Sequence, residues 1–188
     1  MSLANAGKDL KRVIPERIKV TENFYLDELV DPYSYLNDHD NGLSRLDMDA
    51  VNCLQLFRDL YGKPLKVNTW WKLFISLYME GIETPNIIYK IENSDSVRKF
   101  SGFRPKHCPI GAAKSAHKLG KAFDIKGDSG KYEAIIKENV KAFLAMGLKR
   151  IENPKITRGW LHIDTEERNH KKGAIRVINL SSHAYDIT

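Results

Sequence analysis

Apolar residues recur every three to four positions between Met48 and Tyr61, where Val51, Leu54, Phe57 and Leu60 share one face, and this spacing predicts a helix. Asp47 stands where a side chain can cap its first turn, and Gly62 where the chain can leave it. A second stripe, Ile135, Val140, Phe143 and Leu144, predicts a helix from about Lys131 to Met146, capped by Asp128 or Ser129 and ended by Gly147. Elsewhere the period falls to two. Lys121 to Ile125 alternates as a strand, with Asp124 on the face of Ala122 and with Phe123 and Ile125 on the other. Leu148 to Glu152 and Gly159 to Asp164 read as an antiparallel pair across the Asn153-Pro154-Lys155 turn. Pro64 to Thr69 reads as a strand after the first helix, and Ala174 to Leu180 as a last edge strand. The expected fold is α+β: a mainly antiparallel sheet with helices packed on one face, leaving the other for chemistry.

With 188 residues, 42% of them hydrophobic, the chain can bury one full core. Residues 1–20 are polar and basic without a clear period and are expected to form a poorly ordered arm, leaving 21–188 as a single domain. No apolar run approaches the roughly 20 residues that span a bilayer, and the first residues lack an apolar signal-peptide core, so neither membrane insertion nor a signal peptide is expected. The net charge of +6 includes the basic stretches Lys114 to Lys121 and Arg168 to Lys172, which suit an acidic polymer. That charge is spread along the chain, and no helix-turn-helix, zinc-finger or RNA-binding signature accompanies it, so nucleic acid is not an expected partner. Cys53 falls on the apolar side of the first helix and Cys108 in a loop; their spacing makes no metal motif, and both are expected as reduced thiols.

The candidate chemistry lies in Ser115-Ala116-His117-Lys118-Leu119-Gly120-Lys121-Ala122-Phe123-Asp124 and in Trp160-Leu161-His162-Ile163-Asp164. Two imidazoles and a carboxylate, His117, Asp124 and His162, are the donor types of a hydrolytic zinc. Such a zinc takes three protein ligands and leaves a fourth position for a water whose pKa it lowers to about 7. Small residues flank the first two ligands, and Gly120 permits a backbone turn and close approach between them.

The Ser-x-His-x-x-Gly-x-Ala-x-Asp motif with a later His-x-Asp strand resembles the zinc peptidase superfamily of D-alanyl-D-alanine carboxypeptidases. That superfamily also holds phage peptidoglycan endopeptidases, vancomycin-resistance D,D-dipeptidases and the hedgehog signalling fold. Its branch of small phage-type cell-wall peptidases matches best. Glu22 to Leu29 resembles that branch's opening segment, Leu54 to Val67 its helix leading into a strand, and Ser101-Gly102-Phe103-Arg104 its Ser-Gly-Tyr-Arg turn, so the likeness covers about residues 20 to 165.

The resemblance implies zinc bound by His117, Asp124 and His162, and an Arg104 that binds a substrate carboxylate or steadies an oxyanion. Ser115, flanking the first ligand, and Trp70 join Arg104 as candidate substrate contacts. Trp70 and Trp71 follow the strand at 64–69 directly, where the mouth of a cleft and core packing are both open readings. Several relatives carry the general base three residues before the last His, where this chain has Gly159. Two carboxylates are candidates for the base: Asp164, which otherwise orients the His162 ring, and Glu152 at the end of the preceding strand. Residues 72–100 separate the strand from the Arg104 turn, which are contiguous in many relatives, and read as an insertion. The expected function is a zinc-dependent carboxypeptidase or endopeptidase that hydrolyses stem peptides or cross-links of bacterial peptidoglycan, encoded by a phage or prophage and held in the cytoplasm until released to the wall or carried in a virion. The alternative is a zinc-stabilised wall-binding or virion structural module without efficient catalysis.

Overall fold

Asp31 and Asp47 each close an extended approach and accept backbone N–H groups of the next turn, Asp31 from Tyr33 and Ser34 and Asp47 from Ala50. They start α1 (Pro32–Asn37) and α2 (Met48–Tyr61), and Gly62 ends α2 at the predicted position with a left-handed φ of 69°. Within α2 the stripe Val51, Leu54 and Phe57 is buried, but Leu60 at the frayed end is 41% exposed and not part of it. The structure, a computed structural model, describes residues 16–67, 70–83, 86, 102–105, 108, 112–168, 172–178 and 184–188.

Trp70–Met79 forms α3, a helix where the sequence predicted the start of an insertion. Phe74 and Ile75 lie in the core, and Trp71 meets Tyr35 edge to face at 5.4 Å while its indole N–H donates to Val30 O at 3.2 Å. This part of 72–100 is therefore core structure; residues 87–100 lie outside the described residues. The strand expected over Pro64–Thr69 shrinks to one bridge, Lys66 opposite Lys126, with 68–69 outside the described residues. The arm expected over 1–20 is also corrected at its end. Arg17 forks onto Asp27 at 2.8 and 2.9 Å, Lys19 bridges Tyr25, and Ile18 and Val20 pack against the core; residues 1–15 lie outside the described set.

Asp128 accepts from Gly130 N and Lys131 N and starts α4 (Ser129–Glu138), but the helix expected to run to Met146 breaks at Asn139 and resumes as α5 (Val140–Ala145). Asn139 donates its side-chain amide back to Ile135 O at 2.9 Å. Tyr132, Ile136, Val140 and Phe143 form the buried stripe; Ile135 and Leu144 are half-buried at its margin.

Five strands complete the chain: β1 (Ala122–Lys126), β2 (Arg150–Glu152), β3 (Trp160–Asp164), β4 (Ile175–Ile178) and β5 (Tyr185–Ile187), in sheet order β1-β3-β2-β4-β5. The expected α+β class holds, but the sheet is mixed rather than mainly antiparallel, because β2 and β4 run parallel. The 174–180 segment is accordingly not an edge: β4 lies inside the sheet and β5 takes the outer place. Alternation sends Phe123, Ile125, Ile151, Leu161, Ile163, Ile175 and Val177 to one face, where they join Phe57, Ile136 and Phe143 of the helices in one core. Each fully buried Phe, Leu or Ile contributes roughly 1.5–3 kcal/mol. The opposite face carries Asp124, Lys126, Arg150, Glu152, Trp160, His162 and Asp164, away from the helices. No helix among the described residues is long and apolar enough to cross a membrane. Cys53 and Cys108 are both buried free thiols, and burial pushes Cys53 up to about 12.

Gly120 closes the short 3-10 turn Ala116–Leu119 at φ 69°, and a Cβ there would collide with the Arg45 carbonyl oxygen. Gly62 has the same φ with nothing near. Gly62→Ala is therefore expected to cost about 1 kcal/mol and Gly120→Ala at least about 2 kcal/mol more. Urea unfolding of the two variants checks this; equal costs would contradict the close approach.

Candidate metal centre

The turn Ala116–Leu119 leads through left-handed Gly120 into β1, so His117 projects over the polar face of the sheet a few residues before Asp124 joins it. Asp124 pairs directly with His162 across β1 and β3, which places their side chains side by side. His117, Asp124 and His162 are all buried, and one donor atom from each lies within 4.8 Å of the others. This group can hold a metal ion.

Each imidazole has one nitrogen tied down and one turned inward. His117 Nδ1–H donates to the Gly102 carbonyl at 3.0 Å, which leaves Nε2 as the lone-pair nitrogen, 3.4 Å from Asp124 Oδ1. His162 Nε2–H donates to Asp164 Oδ2 at 3.0 Å, and its Nδ1 lies 3.0 Å from Asp124 Oδ1 and 3.2 Å from His117 Nε2. Such outer partners fix the tautomer and aim the ligand nitrogen. Burial outweighs Asp124 at His117 and keeps that ring below the ordinary histidine value, hence neutral. Burial opposes the charge at His162 too, but there the carboxylates of Asp124 and Asp164 prevail and push it up to about 10. Burial would raise Asp124, yet the two imidazoles outweigh it and hold the carboxyl well below the usual range. The proton on His162 Nδ1 thus sits among the three donors, where a metal cation would take its place.

Asp164 is 1% exposed, and both its oxygens are engaged: Oδ2 by His162, Oδ1 by Arg150 Nε at 2.8 Å and by Glu166 N at 3.0 Å. Burial works against its charge, but His162 and Arg150 hold it below the ordinary carboxylate value. Of its two candidate roles, this geometry matches the orienting one. Arg104, whose backbone N–H donates to His117 O, lies with Nη2 3.7 Å from Asp124 Oδ2. Glu152 ends β2 one residue beyond the Ile151–Ile163 pair and lines the same cleft as His162.

Above the donors opens a cleft of about 360 Å³, lined by Arg104, Ser115, Glu152 and Trp160 among others. Ser115 borders this cleft. Trp70 begins α3, and its side chain lies outside the described residues; Trp71 is in the core. Gly159 stands at the entry to β3, and a Cβ there would meet nothing within 4 Å. Sequence reasoning missed Arg150, Lys126 and Arg168, which also line the cleft. The alternation Arg150-Ile151-Glu152 was the available signal for the first, because it puts Arg150 on the face of Glu152.

Comparison with protein-family models, with curated proteins and with solved structures gives no match.

His162 in protein stripped of metal holds its second proton up to about pH 10, so metal has to displace it. Affinity is expected to fall by up to about tenfold per unit as pH drops below that value. Folding shows the same linkage: the raised pKa stabilises stripped protein fully below about 6.5, and that stabilisation disappears as pH climbs toward about 10. Calorimetric titration with metal at pH 7 in two buffers of different ionisation enthalpy is expected to report release of about one proton. Heats independent of buffer would contradict this arrangement.

Proposed function

We propose that the protein is a zinc-dependent peptidase that hydrolyses a peptide bond in the stem peptides or cross-links of bacterial peptidoglycan. The observation that carries this reading is the buried His117, Asp124 and His162 group on the floor of a cleft, with the far nitrogen of each ring fixed by Gly102 or Asp164. Two imidazoles and one carboxylate suit zinc, and this is the donor set expected from the superfamily that the sequence motif resembles. When bound, zinc supplies a Lewis acid that acidifies water and polarises a carbonyl.

The chain's own residues divide the remaining work. Asp164 holds the His162 ring, and Arg150 keeps Asp164 charged and oriented. Arg104, beside Asp124, presents a permanently charged fork to a substrate oxygen. Glu152 takes the proton from the attacking water and returns it to the leaving amine, since it shares the cleft and is not committed to a ligand. Ser115 borders the same space. A wall-binding or virion module is the second reading, favoured by Gly159 in the usual place of the base and by the full engagement of Asp164.

Purified peptidoglycan incubated with the zinc-loaded protein and analysed by mass spectrometry for new amino termini is the test. His117→Ala is expected to lose metal and activity together. Glu152→Gln is expected to lower kcat by about 100-fold or more with zinc stoichiometry unchanged, and Asp164→Asn to weaken metal binding by about 10- to 100-fold. Wall binding with no new amines from the zinc-loaded wild type would reject the peptidase in favour of the module.

A further inference from the structure

The two basic stretches of the sequence, Lys114 to Lys121 and Arg168 to Lys172, meet at their first residues. Arg168 Nη2 donates to the Lys114 carbonyl at 3.2 Å, although 54 positions separate the two in the chain. Both residues line the cleft and both are exposed, whereas His117, Asp124 and His162 at its floor are buried. They therefore stand at its rim, within reach of a ligand seated on the donors. The segment that carries Arg168 is fastened to the metal centre. The Arg168 carbonyl accepts from Arg150 Nη1 at 3.2 Å, Arg150 Nε holds Asp164 Oδ1 at 2.8 Å, and Glu166 N closes on the same oxygen at 3.0 Å. Arg168 is thus tied by its backbone to the carboxylate that orients His162, and by its side chain to the turn that leads into His117. The partner of its guanidinium is a neutral carbonyl, and neither that group nor the Lys114 ammonium meets a carboxylate among the described residues. Arg104 and Arg150, by contrast, lie against Asp124 and Asp164. A guanidinium held through one nitrogen keeps further N–H donors for an oxyanion, and a second cation beside it adds to the attraction.

We propose that Lys114 and Arg168 form an anion subsite at the rim of the cleft, which receives a carboxylate of the substrate on a part of its chain away from the bond hydrolysed. Both residues line the space that holds the donors, so the anion belongs to the molecule that enters this space rather than to a separate partner. The substrate class rests on the peptidase reading above: stem peptides carry a free α-carboxylate on their γ-linked glutamate and another at the C-terminus. Selection is then between acidic peptides and their amidated forms.

The probes are L-alanyl-γ-D-glutamyl-L-lysyl-D-alanine and two counterparts in which either the glutamate α-carboxylate or the C-terminal carboxylate is a carboxamide. Binding to zinc-loaded protein is read by stopped-flow tryptophan fluorescence before turnover accumulates. One of the two amidations is expected to weaken binding to the wild type by about tenfold. Lys114→Gln and Arg168→Gln should each reduce that difference by about threefold, and the double variant should abolish it. Arg168→Lys, which keeps the charge, should keep most of it. Zinc stoichiometry and urea midpoints serve as folding controls. A wild type indifferent to both amidations, or a double variant that retains the wild-type penalties, would overturn the subsite. An equal loss in Arg168→Lys and Arg168→Gln would overturn it too, because the effect would then belong to the tie across the rim and not to the charge. Release of amines from peptidoglycan reports separately on the reaction: charge preference without cleavage removes the peptidase and keeps the subsite, whereas cleavage without charge preference does the reverse.

Discussion

In the antiparallel ladder of β1 and β3, Asp124 stands opposite His162 and Phe123 opposite Ile163. Because side chains alternate across a strand, this one register delivers two surfaces at once. Phe123, Ile125, Leu161 and Ile163 meet the helices, and Asp124, Lys126, Trp160, His162 and Asp164 form the floor of the cleft. A slip by one residue would drive both donors under the helices and lift four apolar side chains into the cleft. The hydrophobic free energy of the core thus also holds the site in register. Gly120 supports the same geometry from the side, since its close approach to Arg45 sets where the turn bearing His117 enters β1.

Burying two imidazoles beside two carboxylates is costly unless every charge has a partner. Here the partners form a chain. Arg150 meets Asp164, Asp164 meets His162, and His162 meets Asp124, while Gly102 satisfies the far side of His117. His162 carries two protons in this arrangement and His117 one, so a single positive charge sits between Asp124 and Asp164. His117, Asp124 and His162 would hold a divalent cation in place of that proton, and Asp124 would then have a stronger partner. The pocket therefore tolerates positive charge at its centre by construction, which is the electrostatic reason that it suits a metal.

Much of this was legible in the sequence where a local signal settled the outcome. Asp47 and Gly62 bound α2 because capping and left-handed geometry act on single residues. The donors were legible because their residue types are rare in combination and Asp124 and His162 fall on alternating segments, whereas the pairing of β1 with β3 that sets them side by side had no local signal. Tertiary forces decided what was missed. Asn139 breaks a helix that periodicity would have continued, and α3 lies where the resemblance suggested an insertion, although Trp71, Phe74 and Ile75 carry helical spacing. The parallel pairing of β2 with β4 depends on a connection whose path no local pattern encodes. Arg150 escaped notice because a lone arginine on a short strand has no motif; only the ladder with β3 puts it opposite Asp164.

The difference between the two carboxylates follows from their neighbours rather than from their distance along the chain. Asp164 and Glu152 both rise from the polar face, yet Asp164 is sealed at 1% exposure with three donors on its two oxygens, whereas Glu152 is half-buried at the cleft wall. A proton acceptor needs a lone pair that water can reach, and an orienting group needs the opposite. Gly159 sharpens the contrast. A Cβ there would meet nothing within 4 Å, so packing does not demand glycine at this position. Its absence of side chain instead leaves the entry to β3 open beside Trp160, across the ladder from Lys126, on the cleft that the end of β2 reaches through Glu152.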